Sequence, residues 1–432
     1  MGTKEKKNIC VHCGNNPVPH FLYWYNGSLA ILLAPLRRVI FYNPLTVWGE
    51  RLGLGRLLSL ALVRILEFFR IVKKQGERER CAVPRARVLW EEAERRGIKM
   101  EELLLLGKPF DVYIAQKGIR DKDLNSKFKI SNSKRLVVFS GLPRPRGYDG
   151  RILDSMDDKW LFKRLLMKHG LPVPAGTAVT SFWQAKKTFG RIQKPVIVKP
   201  RAGSRGRHSA TFVRNEQDLK QAFRVAKRLC YWVMVEEQLA GPVYRATVID
   251  FKLQGVLRGD PPQVIGDGTS DIGMLIEKKN SAPHPGVKDI KVDEQMRRFV
   301  ERELGEKFQI SNFKFQMDGL GPERKDVLEY VPAAGEIVDL SEKIGVNYGG
   351  CSSEDFTICH PDNKDLFVRA AKALGDPVVG FDFIIPDITR SYKEQRCGFI
   401  EANSLPFINL HHAPLLGQPR NVAAAVWDMV GW

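Results

Sequence analysis

The sequence predicts an α+β protein, and three observations carry that reading. From residue 155 onward, short β-branched runs alternate with amphipathic helical stretches, the texture of sheets covered by helices. Val378–Ile385 reads as a buried strand, apolar except for Gly380 and Asp382. The third is charge: of 68 Lys+Arg and 49 Asp+Glu, residues 1–150 hold 28 and 14. The surplus behind the net charge of +19 therefore sits mostly in an N-terminal module, which reads as basic and partly helical. A nucleic-acid-binding protein would spread such a skin more widely, so no nucleic-acid partner is expected.

In chain order, residues 1–20 read as a loose basic start containing Cys10-Val11-His12-Cys13. Cys10, His12, Cys13 and His20 have the chemistry of four zinc ligands, but no second C-x-x-C follows, and Pro17 and Pro19 suit a plain loop. Residues 21–74 are the most apolar stretch, with Phe21, Tyr23, Trp24, Tyr25, Phe41, Tyr42 and Trp48 clustered. A helix is expected from Glu50 to Lys74, with Arg56, Arg64, Glu67, Arg70 and Lys74 on one stripe. It is too short in apolar run to span a bilayer. Peripheral contact of residues 21–74 with an anionic membrane and packing into a core are both compatible with it. Seven cysteines without a framework pattern, and a charged rather than apolar start, point to a reducing, cytoplasmic setting.

Next come a charged helix over Arg87–Arg96, an apolar piece at Leu103–Leu106, and strands at Asp111–Ala115 and Arg135–Phe139. Leu142–Gly147 reads as a linker. The division expected is a basic segment over 1–90, a small pre-catalytic region over 91–150, and a catalytic body over 151–432. In that body, helices are expected over Lys159–Leu166 behind an acidic cap, Glu216–Leu229, Asp293–Leu304 and Lys364–Leu374. Strands are expected at Val196–Val198, Thr211–Val213, Trp232–Glu236, Tyr244–Phe251, Val378–Ile385 and Gly398–Ala402.

The sequence has no G-x-x-x-x-G-K-[ST], G-x-S-x-G or H-E-x-x-H. Four other pieces carry chemistry. Lys199 ends a strand and is followed by Gly203-Ser204-Arg205-Gly206-Arg207, glycines and cations suited to phosphate oxygens. A second strand runs into Glu236-Glu237-Gln238-Leu239, whose edge suits an adenine ring. Glu401 and Asn403 share one strand face, and a hairpin about Ser391–Tyr392 places Asp382 opposite Glu401. Two carboxylates and an amide oxygen that converge in this way suit Mg²⁺ bearing phosphates. Arg245 and Arg258 interrupt apolar strands, which is costly unless they meet an anion.

In order, these pieces resemble the ATP-grasp superfamily, and within it the ligase portion of cyanophycin synthetase. The likeness runs through Asp158-Lys159, Val198-Lys199-Pro200, Gly241-Pro242-Val243-Tyr244-Arg245, Pro262–Gly268, Glu401-Ala402-Asn403 and His411-His412-Ala413-Pro414. It implies an ATP-grasp fold in which Lys159 and Lys199 contact ATP phosphates and Gly203–Arg207 cover them. Glu236 and Leu239 would meet the adenine edge, and Asp382, Glu401 and Asn403 would hold one or two Mg²⁺ ions. Arg258 would steady the transferred phosphoryl group, with Arg245 and His411 on the acceptor side.

The activity implied is ATP-dependent ligation of a small-molecule carboxylate to an amine through an acyl phosphate, with the resemblance narrowing the substrate to an amino acid or short peptide. A small-molecule kinase, or a membrane-associated nucleotide-binding protein without turnover, are the alternatives; a homo-oligomer stays open. Val243 stands where many relatives have an acid, and Phe407 and Asn409 stand where cyanophycin synthetase has Gly and, one residue further, Arg.

Overall fold

The computed structural model describes residues 10–13, 17–41, 65–66, 68–117, 135–145, 156–202, 207–282, 287–305, 307–308 and 326–432. For residues 11, 35–41, 135, 140 and 347 it describes the backbone alone.

Helix α1 (His20–Phe41) docks one side on the body: Ser28 Oγ accepts from Tyr231 N at 2.9 Å, and Arg207 lies over the Tyr23 ring. Its other side leaves Phe21, Leu22, Tyr25 and Leu32 exposed. No helix among the described residues is long and apolar enough to cross a membrane. Of the helix expected over 50–74, residues 50–64 and 67 lie outside the described residues, and the end of that expectation fails. Arg70 takes a left-handed φ of +57°, which ends the helical turn, and β1 (Val72–Gln75) pairs with residues 102–105. Pairing with an apolar edge outweighs the helical period there.

Helix α2 (Pro84–Arg95) opens on a proline at its first turn, where no N–H is needed. It crosses residue 90, so a division at that point falls inside one helix. Strands β2 (Ile98–Leu105), β3 (Lys108–Lys117) and β4 (Arg135–Ser140) complete a four-stranded antiparallel sheet, order β1-β2-β3-β4. The apolar piece at Leu103–Leu106 is thus the end of β2, through Leu105, and the first residue of the turn after it. The expected linker is anchored: buried Arg144 reaches fully buried Asp376 at 2.7 Å and the Val378 carbonyl at 2.6 Å. Breaking one partner of such a pair leaves a buried charge, at about 3–5 kcal/mol.

Asp158 caps α3 (Lys159–Lys168) by accepting from Trp160 N and Leu161 N, as the acidic start predicts. Then come β5 (Gly176–Val179), α4 (Phe182–Phe189) with its Ser181–Gln184 capping box, β6 (Val196–Pro200), β7 (Ala210–Val213), α5 (Glu216–Lys227) and β8 (Val233–Glu237). The second sheet has the order β5-β8-β6-β7. Ala185, Leu219, Ala222 and Phe223 bury the inner faces of α4 and α5 against it.

The expected strand Tyr244–Phe251 is shorter, because Asp250 and Phe251 adopt φ of +53° and +54° and turn the chain. The hairpin is β9 (Val243–Ile249) and β10 (Lys252–Gly259). A satellite follows: β11 (Gln263–Ile265), α6 (Ile272–Ser281), α7 (Glu294–Leu304) and β12 (Ile337–Asp339), closed around Val264, Phe299 and Val338. Then come β13 (Ser352–Glu354), α8 (Pro361–Leu374), β14 (Val378–Ile384), β15 (Gly398–Asn403), α9 (Asn409–His412), β16 (Leu416–Gly417) and α10 (Val422–Met429).

The third sheet runs β15-β14-β9-β10-β13-β16. One face carries Ala246, Val248, Phe381, Phe383 and Phe399 under α3 and α8, with Phe367 of α8 edge-on to Phe383 and Phe399. The chain end returns to the N-terminal sheet. Trp427 of α10 is buried among Phe139, Leu89 and Trp90, and its indole donates to the Leu89 carbonyl at 3.0 Å.

Candidate functional site

Two elements carry lysines toward one another. Arg201, just past β6, makes a two-pronged pair with the Asp158 cap at 2.7 and 2.6 Å. This fastens the start of α3 to the end of β6, so Lys159 and Lys199 leave adjoining elements. Beneath them lies fully buried Glu236 of β8, whose two carboxylate oxygens meet Lys163 and Lys199 separately. Burial pushes this carboxyl up, but the two ammonium groups outweigh it and hold it at about 2. Lys163 stands one helical turn after Lys159, on the same face, and no sequence motif singles it out.

The side chains of Glu236 and Glu237 are thus engaged with protein partners. Glu237 pairs with Arg396 and accepts from Ala175 N at 2.9 Å. The N–H groups of Glu237 and Gln238 donate to Ala175 and Pro195 carbonyls. Leu239 is buried beside them. The glycine-rich stretch Gly203, Ser204, Arg205 and Gly206 lies outside the described residues.

On the third sheet, the register is the one expected: Asp382 faces Glu401, and Gly380 faces Asn403. On its other side Asp382 faces Arg245 of β9. Glu401, Asp382 and Arg245 therefore form one cross-strand row, away from the phenylalanine core. Lys159 Nζ lies 3.7 Å from Glu401 Oε1, which joins the lysine pair to this row.

The row is not electrostatically closed. Burial raises the Asp382 carboxyl to about 6; the Glu401 charge adds to that, while Arg245 and a hydrogen bond from Asn403 oppose it. Arg245 Nε stands 3.5 Å from Asp382 Oδ1 and, though buried, makes no hydrogen bond. Its guanidinium lies 5.9 Å over the Phe407 ring. A narrow pocket opens here between Arg245, Asp382, Asn403, Phe407 and His411.

His411 lines that pocket with both ring nitrogens occupied. Nδ1 meets Glu354 Oε2 at 2.5 Å and Nε2 meets Thr247 Oγ1 at 2.8 Å. The ring presses on Gly255 so closely that a Cβ there would sit 2.4 Å from Nδ1. Arg258 is one residue out of phase with the row. It pairs with Tyr244, so it projects from the opposite face, where its Nε donates to Asp260 at 2.8 Å. The structure brings Lys159, Arg245, Asp382, Glu401 and Asn403 together, seats Lys199 on Glu236 of β8, and leaves Arg258 outside that group.

No protein-family model matches the chain. Over 275 residues, 63% of this chain, it is 30% identical to a cyanophycin synthetase of Trichormus variabilis, covering 29% of that protein. Over 281 residues, 64% of the chain, it is 31% identical to the glutathione biosynthesis bifunctional protein GshAB of Mannheimia succiniciproducens, covering 35% of it. A crystal structure of a bifunctional glutathione synthetase from Pasteurella multocida matches with a TM-score of 0.50 at 24% identity, covering 80% of this chain and 43% of that one. The fold is ATP-grasp, shared with that synthetase. Within that class the chain resembles cyanophycin synthetase, as the sequence motifs imply. It spans about a third of the length of these curated relatives.

Proposed function

We propose that the chain is an ATP-dependent carboxylate–amine ligase acting on small molecules. The observation that carries this reading is the unbalanced row Glu401–Asp382–Arg245, reached by Lys159 and walled by Asn403. Three hard oxygen donors with one carboxyl raised by burial fit a divalent cation better than any protein partner in the row. Asp382, Glu401 and Asn403 would hold Mg²⁺, which when bound offsets the charge of nucleotide phosphates.

Lys159 and Lys199 hold the phosphates of ATP, with Lys199 oriented by its ion pair with Glu236. Arg245 meets the acceptor carboxylate in the pocket beside Phe407. A carboxylate oxygen attacks the γ-phosphorus and ADP leaves, giving an acyl phosphate. The amine then displaces inorganic phosphate and forms the amide. Phosphoryl transfer asks the protein for position and neutralised charge, and no covalent protein nucleophile is required. His411, bonded on both sides, acts as a positioning residue: it holds Thr247 and Glu354 behind the row. The likeness to cyanophycin synthetase and GshAB supports an amino acid or short peptide as substrate.

The test is ATP turnover against pools of amino acids and dipeptides, with mass spectrometry of products. Amide plus inorganic phosphate is expected. Phosphate retained on the substrate would make the chain a kinase instead, and no turnover with any pool would contradict the ligase. The outward apolar side of α1 supports peripheral membrane contact, which cosedimentation of the full chain with anionic vesicles tests.

A further inference from the structure

Four side chains with metal-ligating chemistry converge outside the carboxylate row. The ligand atoms of Cys10, Cys13, His20 and His208 all lie within 4.8 Å of one another. Cys10 precedes and Cys13 ends a 3₁₀ turn over Val11–Cys13, closed by Cys13 N donating to the Cys10 carbonyl at 3.0 Å. In such a turn residues three apart eclipse, so both sulfurs project to one side. His12 falls out of that line and lines a different cleft with Ser209 and Arg298. His20 arrives on the first residue of α1.

The fourth group comes from the catalytic body. His208 is buried, and its backbone N–H donates to the His12 carbonyl at 3.1 Å. Its Nδ1 lies 2.8 Å from the Val225 carbonyl. A carbonyl only accepts, so Nδ1 carries the proton and Nε2 presents its lone pair to the sulfurs. Cys13 Sγ is 3.4 Å from His208 Nε2 and 3.2 Å from His20 Nε2; Cys10 Sγ is 3.6 Å from His208 Nε2. Bonds of about 2.3 Å to sulfur and about 2.0 Å to nitrogen put the edges of a tetrahedral site at about 3.3–3.8 Å. The sulfur–nitrogen edge among these is about 3.5 Å, and the three sulfur–nitrogen separations fall within about 0.3 Å of it.

We propose that Cys10, Cys13, His20 and His208 form a structural zinc site that fastens the N-terminal segment to the body at residues 207–208. Two thiolates and two neutral imidazoles are soft and borderline donors that select zinc over magnesium. Four protein ligands leave no open position for catalysis. Binding converts two thiols to thiolates and releases two protons, so the Zn²⁺ charge is balanced within the site. The site stands on geometry independent of the ligase reading. Its placement ties two segments together. His208 comes directly after the glycine-rich stretch and Arg207, and the Arg207 guanidinium lies over Tyr23 of α1.

The experiment measures zinc in the purified full chain by elemental analysis, with cobalt reconstitution as the spectroscopic probe. About one zinc per chain and a thiolate-to-cobalt charge-transfer band are expected. His208→Ala and Cys13→Ser should each lower bound metal at least tenfold, whereas His12→Ala should keep it. His208→Cys, which preserves a ligand, should retain the metal and strengthen the cobalt band, and so separates ligation from misfolding. A metal-free chain that takes up neither ion holds only thiol–imidazole hydrogen bonds, and the site is overturned. Loss of metal in His12→Ala with retention in His208→Ala overturns it as well.

Discussion

Two charged clusters stand side by side and differ in their balance. In the first, Glu236 sits between Lys163 and Lys199, each carboxylate oxygen matched to one ammonium group, and its carboxyl is held at about 2. In the second, Asp382 and Glu401 face each other across two strands with Arg245 only partly engaged, and the Asp382 carboxyl rises to about 6. The closed cluster commits its electrostatics to the fold. The open one is left unmatched by the protein, and that imbalance is what the proposed site rests on.

The largest expected effect breaks the open cluster. Glu401→Ala should lower ATP turnover by about 10³-fold or more, since the proposed cation would lose a ligand. Its stability should change by less than about 1 kcal/mol, because Glu401 is 42% exposed and has one long ion pair. Steady-state kinetics with a denaturant titration check both halves, and near wild-type turnover would sink the assignment.

Breaking the closed cluster should act first on stability. Glu236→Ala leaves two lysines unmatched in a buried place and should cost about 3–5 kcal/mol, read by urea denaturation. The smallest effect sharpens the contrast. A folded carboxyl raised above its ordinary value favours folding below about pH 4, and that contribution is lost as pH rises through about 6. The free protein should therefore gain stability as pH falls from 7 toward 5. Asp382→Asn should remove that gain and stabilise the free protein by about 2 kcal/mol at pH 7.5, measured by thermal melts.

The cross-strand pairing of Asp382 with Glu401 was legible because strand alternation and a short polar connection fix a hairpin register. The Asp158 cap was legible for a similar local reason. Arg258 was harder: a one-residue phase along β10 decides which face it serves, and only the pairing with Tyr244 reveals it. His411 sits in the expected region, but its bonds to Glu354 and Thr247 come from distant segments. The strand at Val72–Gln75 reads locally as helix because its partner edge at residues 102–105 is invisible to a local period. The metal cluster shows the same limit, since a local window offers His12 while the fold supplies His208 from the far side of the chain.

The central claim is that the open row takes a divalent cation together with a nucleotide. Calorimetric titration of ADP, with and without Mg²⁺, into the full chain and into Asp382→Asn tests it most directly. The wild type should bind at least tenfold more tightly with Mg²⁺, and the variant should lose that increment while keeping metal-free binding. An equal Mg²⁺ increment in both proteins would contradict the account.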